Sequence, residues 1–163
     1  MIFVTLGTQD KPFERLIKAV ERQVELGNIT EEVIVQSGCT KYESDKMKII
    51  QYMPIDEFNK YLKDARLIIS HAGVGTIIQA LEIGKTVIAG ARKKEFGEHV
   101  SDHQQQFLEN FSEGGYILPL TDFEKLNEVI EQAENFSPKK FASNNTNFIE
   151  STINEINNLL RKD

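Results

Sequence analysis

Residues 67–76 read Leu-Ile-Ile-Ser-His-Ala-Gly-Val-Gly-Thr, and this stretch decides the fold class. Its first four residues have the length and apolar character of a strand that is buried on both faces. The two glycines then form a turn, and apolar residues recur at helical spacing until Gly84. A buried strand that passes through a glycine turn into an amphipathic helix is a building unit of a parallel α/β sheet.

The same alternation extends from this stretch toward both ends of the chain. Short apolar runs predict strands near residues 2–6, 33–35, 48–51, 87–89 and 116–119. Helical spacing predicts helices near residues 12–26, 54–62, 102–112, 122–130 and 149–160. This order predicts an α/β fold with a Rossmann-like parallel sheet and helices on both faces. No repeat or low-complexity segment divides the chain, so we expect a single domain over residues 1–163.

The composition argues against several classes of protein. A chain of 163 residues with 40% hydrophobic side chains suits one domain with a full core. A net charge of -6 and a pI near 5.2 argue against a nucleic-acid partner. The single cysteine, Cys39, excludes an intramolecular disulfide and fits a reducing cytosol. No signal peptide is recognisable, and no apolar run approaches the ~20 residues of a membrane helix.

Unusual sequences follow three of the predicted strands. Ligands of an open parallel sheet bind beyond the carboxyl ends of its strands, so these segments are the candidate site. The first is Gly7-Thr8-Gln9, directly after the first strand. Its glycine either lets the backbone approach a ligand closely or makes a plain turn.

The second segment is residues 71–76. Gly73 and Gly75 free backbone N–H groups at a helix start, which together with the helix dipole suit a pyrophosphate. The Thr76 hydroxyl adds a donor, and His71 as a cation would strengthen a phosphate contact. The alternative is a glycine turn with a capping histidine. The segment is neither a Walker motif nor a dinucleotide fingerprint, because residue 78 is Ile and no Gly-Lys-Ser/Thr follows.

The third segment, residues 98–106, reads Glu-His-Val-Ser-Asp-His-Gln-Gln-Gln. Most of these side chains form hydrogen bonds, and such a set suits the hydroxyls of a sugar. One alternative is a solvated helix start with Asp102 as its cap. Another is a metal site at His99 and His103, whose spacing has meaning only if both lie in the helix. There is no Gly-x-Ser-x-Gly elbow, so we assign no nucleophile.

Three stretches together resemble the donor-binding half of GT-B glycosyltransferases: residues 2–8, 69–76 and 96–104. The resemblance covers nearly the whole chain and favours the small bacterial exopolysaccharide and capsule glycosyltransferase subunits of the PssE type. The same stretches are similar to the soluble subunit of the enzyme that adds N-acetylglucosamine to dolichol-linked intermediates. They are also similar to the C-terminal half of MurG, a glycosyltransferase family 28 C-terminal domain. The resemblance implies a single GT-B half-domain.

The resemblance implies a role for each matching residue. Gly7 and Thr8 would face the donor diphosphate or the acceptor, and the backbone near Tyr52 and Met53 would bind uracil. The pyrophosphate would be held by His71, Ala72, Gly73, Gly75 and Thr76. Further donor contacts, with the last three residues binding the sugar hydroxyls, would come from Glu98, His99, Asp102, Gln104 and Gln105.

One position departs from the family pattern, and two other features need an interpretation. Gln79 stands where the family usually has an acid that grips the ribose, and Glu82 is a backup. Arg92-Lys93-Lys94 is interpreted as a solvated basic run rather than a phosphate site. His99 is the local candidate for a catalytic base. The resemblance implies no metal and no other cofactor, because the UDP-sugar is itself the substrate.

A complete GT-B enzyme has two such domains, so the resemblance implies a separate, membrane-anchored subunit that binds a lipid-linked sugar acceptor. Residues 146–161 carry an apolar stripe, which docks on that partner or packs on its own sheet: Ile149, Ile153, Ile156 and Leu160. The implied function is the donor-binding and catalytic subunit of a two-component UDP-sugar-dependent hexosyltransferase in polysaccharide biosynthesis. It would act with its partner at the cytoplasmic face of the membrane. The alternatives are a non-catalytic enhancer subunit and an unrelated nucleotide-binding module of flavodoxin-like shape.

Overall fold

The computed structural model describes residues 1–141 together with residues 150 and 154. The strands in this part of the chain are β1 (Ile2–Thr5), β2 (Val33–Gln36), β3 (Lys48–Ile50), β4 (Leu67–His71), β5 (Thr86–Gly90) and β6 (Leu118–Leu120). The α-helices are α1 (Glu14–Glu25), α2 (Ile55–Asp64), α3 (Val74–Glu82), α4 (His103–Glu113) and α5 (Leu126–Asn135). Short 3₁₀ helices span Lys94–Phe96 and Phe123–Lys125.

The six strands form one parallel sheet in the order β3-β2-β1-β4-β5-β6. This is the Rossmann strand order, and it confirms the predicted fold class. The order reverses between β1 and β4, so the connections that follow these two strands run to opposite sides. A crevice opens at that point, beyond the carboxyl ends of β1 and β4.

Helices cover both faces of the sheet because successive strand residues point to opposite sides. Ile2 and Val4 of β1 pack in one core, and Phe3 packs in the other. The helices α1 and α5 close the first core, whereas α2, α3 and α4 close the second. Burying one such large apolar side chain stabilises the fold by about 1.5–3 kcal/mol. The two cores therefore hold the strand ends, and the loops that follow them, in fixed positions.

Polar residues interrupt the apolar strands at their carboxyl ends. Thr5 is in register with Gln36 of β2 and with Ser70 of β4. All three are buried, and the Thr5 hydroxyl donates to Oε1 of Gln36 at 3.0 Å. A polar row inside an apolar sheet needs such partners, and it lines the floor of the crevice.

The last strand spans Leu118–Leu120, whereas the sequence predicts a strand at residues 116–119. It therefore begins two residues later than predicted. The reason is an aromatic cluster: the ring of Tyr116 packs 5.9 Å from Phe111 and 5.6 Å from Phe141, centroid to centroid. The predicted docking helix at 146–161 lies outside the described residues, apart from residues 150 and 154. Among the helices that the structure describes, none is long and apolar enough to cross a membrane.

Candidate functional site

A cavity of about 360 Å³ opens at the reversal of strand order, between the ends of β1 and β4. Six of the residues singled out in the sequence line it: Gly7, Thr8, His71, Gly73, Gly75 and Thr76. Six further residues complete the wall: Thr5, Gln9, Gln36, Met53, Ile55 and Phe58. None of these six was assigned to the pyrophosphate or the sugar from the sequence. The first two predicted segments therefore meet at one site.

His71 forms the floor of this cavity as a neutral imidazole. Its side chain is buried, and Nδ1 lies 3.4 Å from the carbonyl oxygen of Thr5. A carbonyl can only accept, so we place the ring proton on Nδ1, which leaves a lone pair on Nε2. Burial, and after it the charge of Arg92, lowers the pKa of His71 to about 4. The expectation of a cationic His71 at a phosphate is therefore wrong, because the ring is neutral at physiological pH. Its Nε2 accepts a hydrogen bond and does not donate one.

Two of the glycines are required by the fit around His71. A Cβ at Gly73 would lie 2.7 Å from Cε1 of His71, and a Cβ at Gly7 would lie 2.6 Å from the same atom. Gly7 also has a φ of +72°, which side chains rarely adopt. Gly75 differs, since a Cβ there would meet nothing within 4 Å. Gly75 is thus the glycine that leaves open space for a ligand.

The N terminus of α3 faces this cavity without a side-chain cap. Gly73 is the N-cap residue, and it has no side chain that could accept a hydrogen bond from the first turn. Gly75 and Thr76 lie in that turn and line the cavity. Uncapped N–H groups at the positive end of a helix dipole attract an anion. Ala72 does not contribute such a group, because its N–H donates to the carbonyl of Gly90 at 3.1 Å.

Arg92 corrects the interpretation of residues 92–94 as a solvated basic run. Its side chain is 1% exposed, and its guanidinium donates to the carbonyl oxygens of Leu6 at 2.7 Å and Lys11 at 2.6 Å. Lys94, in contrast, is exposed. Arg92 therefore ties the loop after β1 to the end of β5.

Glu98 is a structural residue of the third segment. It is buried, and its two carboxylate oxygens pair with Nε and Nη2 of Arg15 at 2.9 and 2.8 Å. The same carboxylate accepts from the N–H of Lys93 at 3.0 Å. Glu98 therefore fastens residues 93–98 to α1, and it is not among the residues that line the His71 cavity.

The predicted sugar-binding residues separate into two groups. Gln104 is buried, and its Oε1 accepts from the N–H of Arg92 at 3.0 Å. Asp102 occupies the N-cap position of α4 but makes no capping bond, and it accepts from the N–H of Lys94 instead. Gln105 is exposed and lines a separate cavity of about 170 Å³ with Lys93 and Leu108. None of the three is among the residues that line the His71 cavity.

His99 connects the third segment to the first at the edge of the cavity. Its Nδ1 accepts from the N–H of Ser101 at 3.0 Å, so the proton of the neutral ring lies on Nε2. Nε2 of His99 lies 3.2 Å from Nε2 of Gln9, so we assign the Gln9 amide with its oxygen turned toward the ring, where it accepts this proton. Burial lowers the pKa of His99, which keeps the ring neutral. A catalytic base needs an available lone pair, and the one on His99 is occupied.

The metal interpretation of this segment finds no support in the geometry. The helix α4 begins at His103, so His99 precedes it and the two rings do not share a helix face. Within the described part of the chain, no group of three or more His, Cys, Asp or Glu side chains is arranged to hold a metal ion.

Gln79 faces the neighbouring helix. Its Nε2 donates to Oδ1 of Asn59 on α2 at 2.6 Å. Gln79 and Asn59 line another cavity, beside Lys63 and Lys85, and Gln79 is not among the residues that line the His71 cavity. The predicted ribose contact would therefore require this pair to separate.

Thr5 and Gln36 are cavity residues that the sequence interpretation missed. A usable signal was present, because each is the polar last residue of an otherwise apolar strand. Parallel register then brings both to the same edge of the sheet.

Comparisons with known proteins agree with this architecture. The family model for the glycosyltransferase family 28 C-terminal domain matches residues 1–160. A stretch of 70 residues is 33% identical to the UDP-N-acetylglucosamine transferase subunit ALG13 of Candida albicans, and it spans 43% of this chain and 24% of that relative.

Solved structures share the fold at low sequence identity. The NMR structure of ALG13 has a TM-score of 0.61 at 21% identity, covering 95% of this chain and 96% of that chain. The calicheamicin glycosyltransferase CalG4 has a TM-score of 0.57 at 16% identity, covering 95% of this chain and 37% of that chain. The chain therefore has the α/β fold of a domain that is found within larger GT-B glycosyltransferases.

Proposed function

Because the chain belongs to the glycosyltransferase family 28 C-terminal domain family, we propose that it binds the UDP-sugar donor of a two-component hexosyltransferase in the cavity between β1 and β4. The observation that carries this proposal is the uncapped N terminus of α3 at that cavity. The cavity volume of about 360 Å³ lies within the usual range of small-molecule sites.

The cavity offers different surfaces to the two ends of a nucleoside diphosphate. The diphosphate would lie at Gly75 and Thr76, where helix N–H groups and a hydroxyl donate to it. The apolar wall of Met53, Ile55 and Phe58 would receive the uracil base, with the amide of Gln36 within the same cavity. The helix dipole would then stabilise the negative charge that develops on the leaving UDP.

The sugar would extend from the diphosphate toward the start of α4. We keep Asp102 and Gln105 as the residues that contact its hydroxyls, because both side chains are exposed there. Gln104 is assigned to the support of Arg92, since its Oε1 is already occupied. Glu98 is likewise assigned to the ion pair with Arg15.

The acceptor side of the reaction would come from a second protein. The chain matches 37% of the glycosyltransferase CalG4, and its relative from Candida albicans is named a subunit. We propose that the partner is membrane-anchored, binds a lipid-linked sugar acceptor and places the active complex at the cytoplasmic face of the membrane. Exopolysaccharide or capsule synthesis is the proposed setting, on the resemblance of residues 96–104.

The test is a calorimetric titration of the purified chain with UDP and a panel of UDP-hexoses, with FMN and NAD as controls. Binding of UDP, with one sugar preferred, is the expected result. Affinity for FMN or NAD instead would favour a flavodoxin-like module. If neither the chain nor its complex binds UDP, an enhancer subunit without a donor site is the better description. The hydrogen bond between Gln79 and Asn59 favours that alternative, because it occupies the residue expected to contact the ribose.

A series at Gly75 locates the site. Gly75→Ala and Gly75→Leu place a small and a large side chain at the α3 N terminus, in open space. Thermal stability should stay near that of the wild type in both, whereas UDP affinity should fall with side-chain size. Equal UDP affinity in all three proteins would place the donor elsewhere.

A further inference from the structure

Arg92 is a buried cation without a paired carboxylate. Within residues 1–141, no Asp or Glu side chain forms an ion pair with it, and its hydrogen bonds go to backbone carbonyl oxygens. Its Nε is buried without a hydrogen-bond partner. The ring of Phe13 lies 4.9 Å from the guanidinium carbon and offers weak compensation. A guanidinium stays charged in a protein, so a positive charge is held here.

Two acidic side chains, Glu98 and after it Asp10, act on the Arg92 charge without pairing with it, and Glu98 is occupied by another cation. Glu98 places its carboxylate on Arg15 and offers Arg92 only its backbone carbonyl, at 3.3 Å. The side chain of Arg15 is 25% exposed. The partly exposed Arg15 therefore has the Glu98 carboxylate as its partner, and the buried Arg92 does not. A buried charge without a partner is costly unless something else compensates it.

The charge is held against the loop that forms one wall of the proposed donor site. Its carbonyl partners, Leu6 and Lys11, bracket the loop that contributes Gly7, Thr8 and Gln9 to the cavity. Arg92 lies two residues after the end of β5. The last residue of β5, Gly90, is in register with His71, which forms the floor of the cavity. After burial, the Arg92 charge is among the causes that lower the pKa of both His71 and His99. Its field therefore reaches His71 at the floor of the cavity and His99, which contacts Gln9 at the cavity edge.

We propose that Arg92 supplies a fixed internal positive charge that attracts the diphosphate of the donor without touching it. This inference rests on the proposed function. Arg92 acts through space and through the loop that it holds, so it is a positioning residue. The arrangement explains why a buried cation is placed against the loop after β1: the diphosphate of the donor would serve as its counter-ion. Because the charge is shielded from solvent, salt screens it less than it screens a surface lysine.

The experiment compares affinities for UDP and for uridine, which differ only in the diphosphate. Wild type, Arg92→Gln and Arg92→Lys are titrated by NMR, which measures millimolar affinities, at about 50 mM and about 500 mM salt. Lys94→Gln is the matched control, because it removes one exposed positive charge two residues away. We expect Arg92→Gln to reduce the preference for UDP over uridine about tenfold at both salt concentrations. Arg92→Lys should keep most of that preference, and Lys94→Gln should keep it at high salt.

Four results would overturn the inference. The first is an unchanged preference for UDP in a folded Arg92→Gln protein. The second is an equal loss in Arg92→Lys and Arg92→Gln, which would mean that the guanidinium only braces the loop. If Arg92→Gln does not fold, the wild type decides: a UDP preference that disappears at high salt would assign the attraction to surface charge. A wild type that binds uridine and UDP equally would overturn the diphosphate site itself, and with it the proposed function.

Discussion

Gly73→Ala is expected to destabilise the fold by about 1–3 kcal/mol, because its methyl group would collide with a buried ring. A Cβ at this position would overlap Nε2 of His71 most closely, and it would lie 2.7 Å from Cε1 and 2.8 Å from Cδ2, whereas ordinary contact begins at 3.4 Å. The ring would have to retreat by roughly an ångström or more in a close-packed interior. Backbone strain makes no contribution, since the φ of Gly73 is -87°.

A double-mutant cycle isolates this collision. In the background of His71→Ala the ring is gone, so adding Gly73→Ala should change stability by no more than about 0.5 kcal/mol. The coupling between the two sites should therefore equal nearly the whole cost of Gly73→Ala in the wild type. Gly7→Ala should be rescued only in part, because its φ of +72° remains strained without His71. Gly75→Ala is the control and should be neutral or stabilising by up to about 1 kcal/mol.

Urea denaturation followed by circular dichroism measures all of these values, and thermal melts should shift by about 2–4 °C per kcal/mol. The reasoning is refuted if Gly73→Ala is as stable as the wild type. It is equally refuted if Gly73→Ala is destabilising to the same extent with and without His71, since the imidazole would then not be the obstacle.

Three further predictions concern pH, the ion pair and the start of α4. The pKa of His71 is about 4 in the folded protein and 6.5 in the unfolded chain. The stabilisation that the neutral ring contributes is therefore complete above pH 6.5 and is lost as the pH falls toward 4. Between pH 8 and pH 5, the free energy of unfolding measured in urea titrations should fall by about 2 kcal/mol more in the wild type than in His71→Gln. Glu98→Gln should cost about 1–3 kcal/mol, less than a fully buried pair because Arg15 is partly exposed, and an unchanged urea midpoint would contradict this. Gln105→Ala should weaken UDP-sugar binding more than UDP binding, whereas Gln104→Ala should lower stability and weaken both ligands alike; a sugar-selective effect of Gln104→Ala in calorimetry would reverse that assignment.

The fold was predictable because its signals are local. Short apolar runs and helical spacing identify each element, and alternation of the two determines a parallel sheet. The meeting of the first two candidate segments at one cavity was predictable for the same reason, since each follows a strand whose carboxyl end is fixed by that topology. Predicting which residues of those segments line the cavity required no knowledge of contacts between distant parts of the chain.

The errors concern contacts between residues distant in sequence. Arg92 stands in a basic run, yet its carbonyl partners lie on the loop after β1, more than 80 residues away along the chain. Glu98 has the composition of a ligand contact, but its partner is Arg15 on α1. The charge state of His71 depends on burial and on Arg92, neither of which a local motif reveals. Side-chain function in the third segment therefore follows from tertiary packing, which residue type alone does not encode.

The geometry also bears on where a catalytic base would come from. Transfer of a sugar to a hydroxyl requires a group that accepts the hydroxyl proton. His71 lines the cavity, and His99 contacts Gln9 at the cavity edge. The lone pair of His99 accepts from Ser101, so that ring has no acceptor site for a substrate. His71 has a lone pair on Nε2, but a pKa near 4 makes it a weak base at neutral pH. Neither imidazole has the properties of an efficient base, which is the arrangement expected if the partner subunit supplies that group together with the acceptor.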